Sequence, residues 1–351
     1  MQLSPAYYNE FHYNGDAYVR TFNNKAFEIA EGLKLNFINY YFHYNDKKRK
    51  NTRISEFVLA AEFVGVTEYE LGESILPEIE VFLKLVSFSE RRRVVCYGYK
   101  GTLANETVEF YRGDISIQKE DFEYSFNETL IDIQDFEEFI SQAILTGKSC
   151  IFKEDLFAAI GKVAYREYSS IESEYLSYYS ALENLINGYR DTNAFHYIFE
   201  SNHWNKFSRD LKSFIKNHDL LKDEGEEEEK KRKRELIYEK IPELNRVSFS
   251  TAFKAFCKFY CIDLDDLWSI GGGGVTISLT KIRNQLIHGG RFEREEYDAI
   301  ICARSHLRWT LERCILRVLD WDIERSKVRP VYLKNFIDYN EWQEKIKLLR
   351  N

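Results

Sequence analysis

This chain lacks cysteine in the patterns that chemistry most often uses. Cys96, Cys150, Cys257, Cys261, Cys302 and Cys314 contain no C-x-x-C pair, which argues against a zinc knuckle or a thiol redox motif. Cys257 and Cys261 are one helical turn apart and read as small apolar core fillers. A basic excess is also missing. The net charge of −8 argues against a general nucleic-acid coat protein, yet it allows an enzyme that takes RNA into a locally basic cleft. The first ten residues have no basic start followed by an apolar run, and no later stretch is long enough to span a bilayer. A cytoplasmic protein with no membrane partner is therefore expected. Gly271 to Gly274 lead into Val275-Thr276 and not into the Lys-Ser/Thr of a P-loop, so no nucleoside triphosphate site is expected there.

What is present is apolar mass. The chain has 351 residues, 44% of them hydrophobic and 16% aromatic, which is enough for two cored domains. The expected fold class is α+β, with a β-rich N-terminal domain, sandwich or barrel-like, over residues 1–125. A helical connector (126–168), a C-terminal α-helical bundle (169–322) and a tail (323–351) follow. The β reading rests on the alternation that begins residues 78–88 and on the short apolar runs Val94–Tyr99 and Thr107–Tyr111. Lys25 to Phe42 fits either a strand pair or an aromatic-rich helix. Two basic clusters, Lys47-Lys48-Arg49-Lys50 with Arg53, and Arg91-Arg92-Arg93, fall in expected turns. Each reads as a phosphate grip or as a solvated hairpin tip.

Helical spacing begins near Asp132, with Phe136, Phe139, Ile140, Ala143 and Ile144 at threes and fours. Residues 165–190 form the first long helix, striped by Ile171, Tyr175, Tyr178, Leu182, Leu185 and Ile186, with Gly188 expected to end it. Helices over 205–217, 247–260 and 294–320 complete the bundle. Between the second and third of these four helices, an acidic block and then a basic block (222–235) suggest a solvated insertion with i to i+4 pairing.

Residues 279–290 carry the densest chemistry. Leu279, Ile282 and Leu286 make one apolar face, and Gly289-Gly290 predicts a stop just past His288. Asn284 and His288 are four apart and share a side, whereas Arg283 sits about 140° around the helix from His288. The three heads therefore converge only beside a partner surface. An Arg that stays charged, a His that titrates near neutrality and an Asn to orient either of them suit metal-free phosphodiester cleavage. The plain alternative is a surface pair at a capped helix end.

Arg283-Asn284-Gln285-Leu286-Ile287-His288 resembles the signature of HEPN domains (higher eukaryotes and prokaryotes nucleotide-binding): Arg, a polar residue, three to five others, then His. Ala181–Leu185 and Ile262–Trp268 resemble the Apea-like branch of that family, and together the matches cover roughly residues 170 to 320. The resemblance implies an antiparallel helical bundle that acts as a homodimer, with two such motifs meeting across a two-fold axis. It implies a metal-independent endoribonuclease with Arg283, Asn284 and His288 as catalytic residues, requiring neither cofactor nor metal. The family picks out Glu183 as a supporting residue, which reads equally as a hydrogen-bond partner of the motif or as an ordinary boundary carboxylate. Lys281, Arg291 and Arg294 are the expected substrate-phosphate contacts. Antiviral defence or toxin activity, released by a viral or cellular activator, is the expected setting, by family analogy alone. The alternatives are a HEPN module that binds RNA or nucleotide without cutting, and a purely structural dimerisation module.

Overall fold

In a computed structural model of the chain, the described residues are 8–14, 17–22, 25–30, 33–42, 54–60, 67, 70–91, 93–94, 98–103, 106–111, 129–165, 170–218, 227–271, 277–290, 292–335, 341, 344–345 and 349. Backbone contacts group the chain into two units, Met1–Ala181 with Leu264–Asn351, and Leu182–Asp263.

The expected β-rich sandwich or barrel is not what forms. Among the described residues, strands β1 (Tyr8–Asn14) and β2 (Ala17–Phe22) form a two-stranded sheet, β3 (Lys25–Ala30), β4 (Leu33–Phe42) and β5 (Ile54–Ala60) a three-stranded one, and β6 (Gly98–Leu103) and β7 (Glu106–Tyr111) another pair. All pairings are antiparallel. Helix dominates the described residues, and the stretch 78–88, read as a strand, is the body of helix α1 (Leu76–Glu90). The error has a plain cause: in so apolar a segment, Ile79, Leu83 and Leu85 satisfy a two-residue period, while Ile79, Phe82, Leu83 and Val86 satisfy the helical one. Pro77 in the first turn, pre-set for a helix, decides for the latter. Lys25 to Phe42 resolves as the strand pair β3-β4.

The first unit continues with α2 (Phe136–Ser149), α3 (Lys153–Ala164) and the start of α4 (Ile171–Thr192). Gly188 does not end α4: the helix runs four residues further, and Thr192 Oγ1 donates to the Gly188 carbonyl at 2.9 Å. The second unit holds the rest of α4, then α5 (Ser201–Asn217), α6 (Glu227–Lys240) and α7 (Phe249–Phe259). In it Tyr189 stands edge-on to Phe256 at 5.5 Å, and Asn245 clamps the Phe199 backbone through both ends of its amide, at 2.8 and 3.1 Å. Back in the first unit come α8 (Leu279–Ile287), α9 (Tyr297–Val318) and the short α10 (Pro330–Lys334).

Helix α9 is the centre of the first unit, and charged side chains are buried along it. Glu312 is fully enclosed and accepts from Arg91 at 3.0 and 2.6 Å and from Arg308 at 3.0 Å. Arg313, equally enclosed, is held bidentately by Asp266 at 2.6 and 2.7 Å and donates to the Val328 carbonyl at 2.7 Å. Such pairs are tolerated in a core only because nearly every lone pair and proton has a partner. Arg91 is thus a tether between the end of α1 and α9, and not part of an exposed basic face. Arg93 lies over the Tyr165 ring at 5.6 Å. The Lys47–Lys50 cluster and Arg53 lie outside the described residues, as does most of Gly271–Gly274.

Candidate functional site

Helix α8 is anchored at its N-terminal end and presented at its C-terminal end. Ser278 caps the start, its hydroxyl accepting from the Lys281 N–H at 3.2 Å. The Leu279 and Thr280 N–H groups donate to the Ser269 and Ile270 carbonyls at 3.0 and 3.1 Å, so the segment before the helix satisfies its otherwise orphaned donors. Trp268 fastens the same segment twice, its indole N–H to the Ile277 carbonyl at 2.7 Å and its backbone N–H to His306 Nδ1 at 3.1 Å. The Leu349 carbonyl accepts from the Ile277 N–H at 3.2 Å, bringing the tail to the lead of the helix.

Two tyrosines of α4 fix the register of α8. Tyr175, fully buried, donates to the Leu279 carbonyl at 2.7 Å, and burial raises its phenol well above the ordinary value. Tyr179 bonds Thr280 Oγ1 at 2.7 Å. Since the Thr280 hydroxyl spends its one proton on the Ile270 carbonyl at 2.6 Å, Tyr179 is the donor.

The far end closes as the paired glycines predict. His288 is the C-cap, Gly289 takes a left-handed φ of +76°, and the Gly289 and Gly290 N–H groups return to the Leu286 and Gln285 carbonyls at 3.3 and 2.8 Å. This is the double bond of a Schellman ending. A Cβ on Gly290 would stand 2.9 Å from the Gln285 carbonyl oxygen, so the second glycine is also required. Leu279 and Ile282 are buried and Leu286 half-buried, which leaves Asn284 and His288 exposed to solvent.

The arginine is organised by aromatic and amide contacts. Arg283 is half-buried, with its guanidinium 5.6 Å from the Tyr179 ring centre and Nη1 donating to Asn284 Oδ1 at 3.1 Å. The ring faces a permanent cation and the amide fixes the plane of the fork, so the guanidinium is oriented before any ligand arrives. Arg283 and Asn284 therefore come together within one chain. His288 sits at the helix end.

The other expected residues fall as follows. Lys281 and Arg294 are exposed on either side of the motif, and Arg291 lies outside the described residues. Glu183 is half-buried on α4, one turn beyond Tyr179. His306, on α9, is fully enclosed, and burial lowers its pKa to about 4, with Asp266 opposing and Arg313 adding to the shift. Tyr179 and Thr280 were not singled out from the sequence, although Tyr179 follows Tyr175 by four residues and belongs to the same stripe. The Ile262–Trp268 stretch turns out to be structural, through the Asp266–Arg313 pair and the Trp268 bonds.

No family model, curated protein or solved structure matches this chain. No described helix is long and apolar enough to cross a membrane.

Proposed function

We propose that this chain is a metal-independent endoribonuclease of the HEPN type, acting as a homodimer. The observation that carries the reading is the end of α8, where a pre-oriented Arg283–Asn284 pair and the exposed His288 share the last two turns of a helix anchored at its other end. Lys281 and Arg294 supply further positive charge nearby in sequence, and with Arg291 they are the proposed phosphate contacts.

In the proposed reaction the ribose 2′-oxygen attacks the adjacent phosphorus, the new P–O bond forms, and the bond to the 5′-oxygen breaks. The proton leaves the 2′-hydroxyl and is delivered to the departing 5′-oxygen, with His288 carrying out the transfer. Arg283 stabilises the charge that grows on the equatorial phosphoryl oxygens, a task for a planar donor that cannot deprotonate. Asn284 holds the guanidinium in plane, and Glu183 is proposed to support the motif. The products are a 2′,3′-cyclic phosphate and a 5′-hydroxyl, and DNA, lacking the nucleophile, is left intact. A second motif across a two-fold axis compensates for the separation of Arg283 and His288 around the helix. Antiviral defence or toxin action in the cytoplasm, under the control of an activator, is the proposed setting.

A second reading draws on the same contact. Because Arg283 is bonded to its neighbour Asn284 within one chain, the motif also fits a module that grips RNA or a nucleotide without cutting it.

The deciding experiment incubates total cellular RNA and a labelled tRNA pool, in EDTA, with wild-type protein and with His288→Ala, and analyses the fragment ends. Cyclic-phosphate ends from the wild type alone support the ribonuclease. Intact RNA that is nevertheless bound by the wild type supports the second reading. Equal cutting by both removes His288 from the mechanism.

A further inference from the structure

Helices α5 and α6 contain no buried residue, although a helix in a folded unit normally draws its stability from burying one face. Helix α5 has such a face: Trp204, Phe207, Leu211, Phe214 and Ile215 fall within about 100° of arc, roughly opposite its row of lysines and arginine. Only one side of that face is covered. Trp204, Leu211 and Ile215 are half-buried, whereas Phe207 and Phe214, two turns apart on one flank, are 49% and 62% exposed. Helix α6 reverses the usual pattern, with Lys230, Arg234 and Tyr238 half-buried while Leu236 and Ile237 are exposed.

Contacts tie this open apolar surface together. The Phe207 ring centre lies 6.1 Å from that of Phe199 and 5.7 Å from that of Trp204, and Phe214 stands 5.3 Å from His218. Asn245, which clamps the Phe199 backbone, carries the exposed Leu244 to the same neighbourhood. The Tyr238 hydroxyl donates to the Lys212 carbonyl at 3.1 Å, which brings the end of α6 that holds Leu236 and Ile237 beside α5. Phe199, Phe207, Phe214, Leu236, Ile237 and Leu244 together leave on the order of 700 Å² open, close to the roughly 800 Å² that each partner contributes to a standard interface.

The charges decide what covers it. Leu182–Asp263 holds fifteen basic and fifteen acidic residues, so the net charge of −8 belongs entirely to the rest of the chain. Within the unit the two signs are separated: α5 has four cations against Asp210 alone, and residues 223–229 hold six acids and no base. A nucleic acid or an anionic bilayer meets that acidic run with repulsion. A second copy offers both signs, and a unit without net charge has no long-range self-repulsion to overcome.

We propose that this face of the second unit binds the same face of a second copy of the chain. Across a two-fold axis between Phe207 and Phe214, antiparallel α5 helices set Phe207 of each copy against Phe214 of the other. The face contains no residue of the α8 motif and stands without the ribonuclease reading, which calls for a second copy on other grounds.

The test measures the mass of the full chain by light scattering and sedimentation across a concentration series. The wild type has the mass of at least two copies. F207E with F214E halves that mass or raises the dissociation constant at least about tenfold, because central aromatics carry much of an interface's energy. The milder F207S with F214S shifts it in the same direction, with unchanged circular dichroism. L145E with I151E, the same change at exposed positions of the first unit, leaves the mass unaltered. A wild type of single-chain mass at every concentration overturns the proposal, as do equal masses for the wild type and both α5 pairs, or equal losses in the control. Capture by phosphatidylserine vesicles or by a labelled oligoribonucleotide that the α5 pairs abolish, with the mass unchanged, also overturns it. Dissociation by I287E, at the exposed residue beside His288, and not by the α5 pairs refutes this face and spares the ribonuclease dimer. An α5-dependent pair whose wild type cuts no RNA keeps the face and rejects the ribonuclease.

Discussion

The guanidinium of Arg283 lies 5.6 Å from the ring centre of Tyr179, and the hydroxyl of the same tyrosine donates to Thr280, three residues before Arg283 on the same helix. One side chain of α4 thus sets both the register of α8 and the facing of its arginine. Tyr179→Phe keeps the ring and loses one hydrogen bond, so it should cost about 1 kcal/mol of stability and leave cleavage within a few-fold of wild type. Tyr179→Leu also removes the ring and should slow cleavage by roughly tenfold. Melting curves and kcat measured side by side check this, and identical activities for the two variants would count against a positioning role for the ring.

Gly289→Ala forces a β-carbon into a left-handed conformation and should destabilise the protein by roughly 1 kcal/mol. Gly289→Asn, which tolerates that conformation better, should recover much of the loss. Because the cap holds His288, the alanine variant should also lose activity in the cleavage assay beyond what its melting temperature explains.

Asp266→Ala leaves the fully enclosed Arg313 without its bidentate partner, and urea titration should show a loss of roughly 3–5 kcal/mol. Replacing both residues by apolar ones, Asp266→Leu with Arg313→Met, should restore part of it, since neither position then leaves an unpaired charge buried. A double variant no more stable than Asp266→Ala would mean that the pair contributes shape and not only charge balance.

His306 gives the protein a pH dependence with a definite sign. Its Nδ1 accepts from Trp268, so the folded state needs the neutral ring, and burial holds its pKa at about 4 against an ordinary 6.5. Between those values the unfolded chain binds the proton and the folded chain does not. Stability is therefore complete above about pH 6.5 and falls as the pH drops towards 4, by up to about 3 kcal/mol. Denaturation midpoints for wild type and His306→Asn across that window should diverge in slope, the variant being flatter.

The sequence alone marked the motif helix closely. Its apolar residues at Leu279 and Ile282 and the stop at Gly289-Gly290 are local signals, and local hydrogen bonding enforces them. It also marked helical spacing from near Asp132 and a striped helix over 165–190, where the structure has α2 and α4, because burial of one face leaves a period in the chain. It erred at 78–88, where apolar residues are dense enough to satisfy two periods at once, and Pro77 in the first turn together with packing against α2 and α3 selects the helix. It erred at Gly188, whose place inside α4 is held by the helix on either side of it.

What only the tertiary structure decided are the pairings between residues far apart in the chain. Arg91, read as part of a basic cluster, is drawn in by Glu312, and Asp266 is claimed by Arg313, because a charge entering a low-dielectric core must take its partner with it. Tyr179 meets Thr280 and Arg283 across about a hundred residues, and no period or motif within either helix encodes that meeting. The chemistry of the α8 motif is written in its residues, but their orientation comes from the helix they pack against.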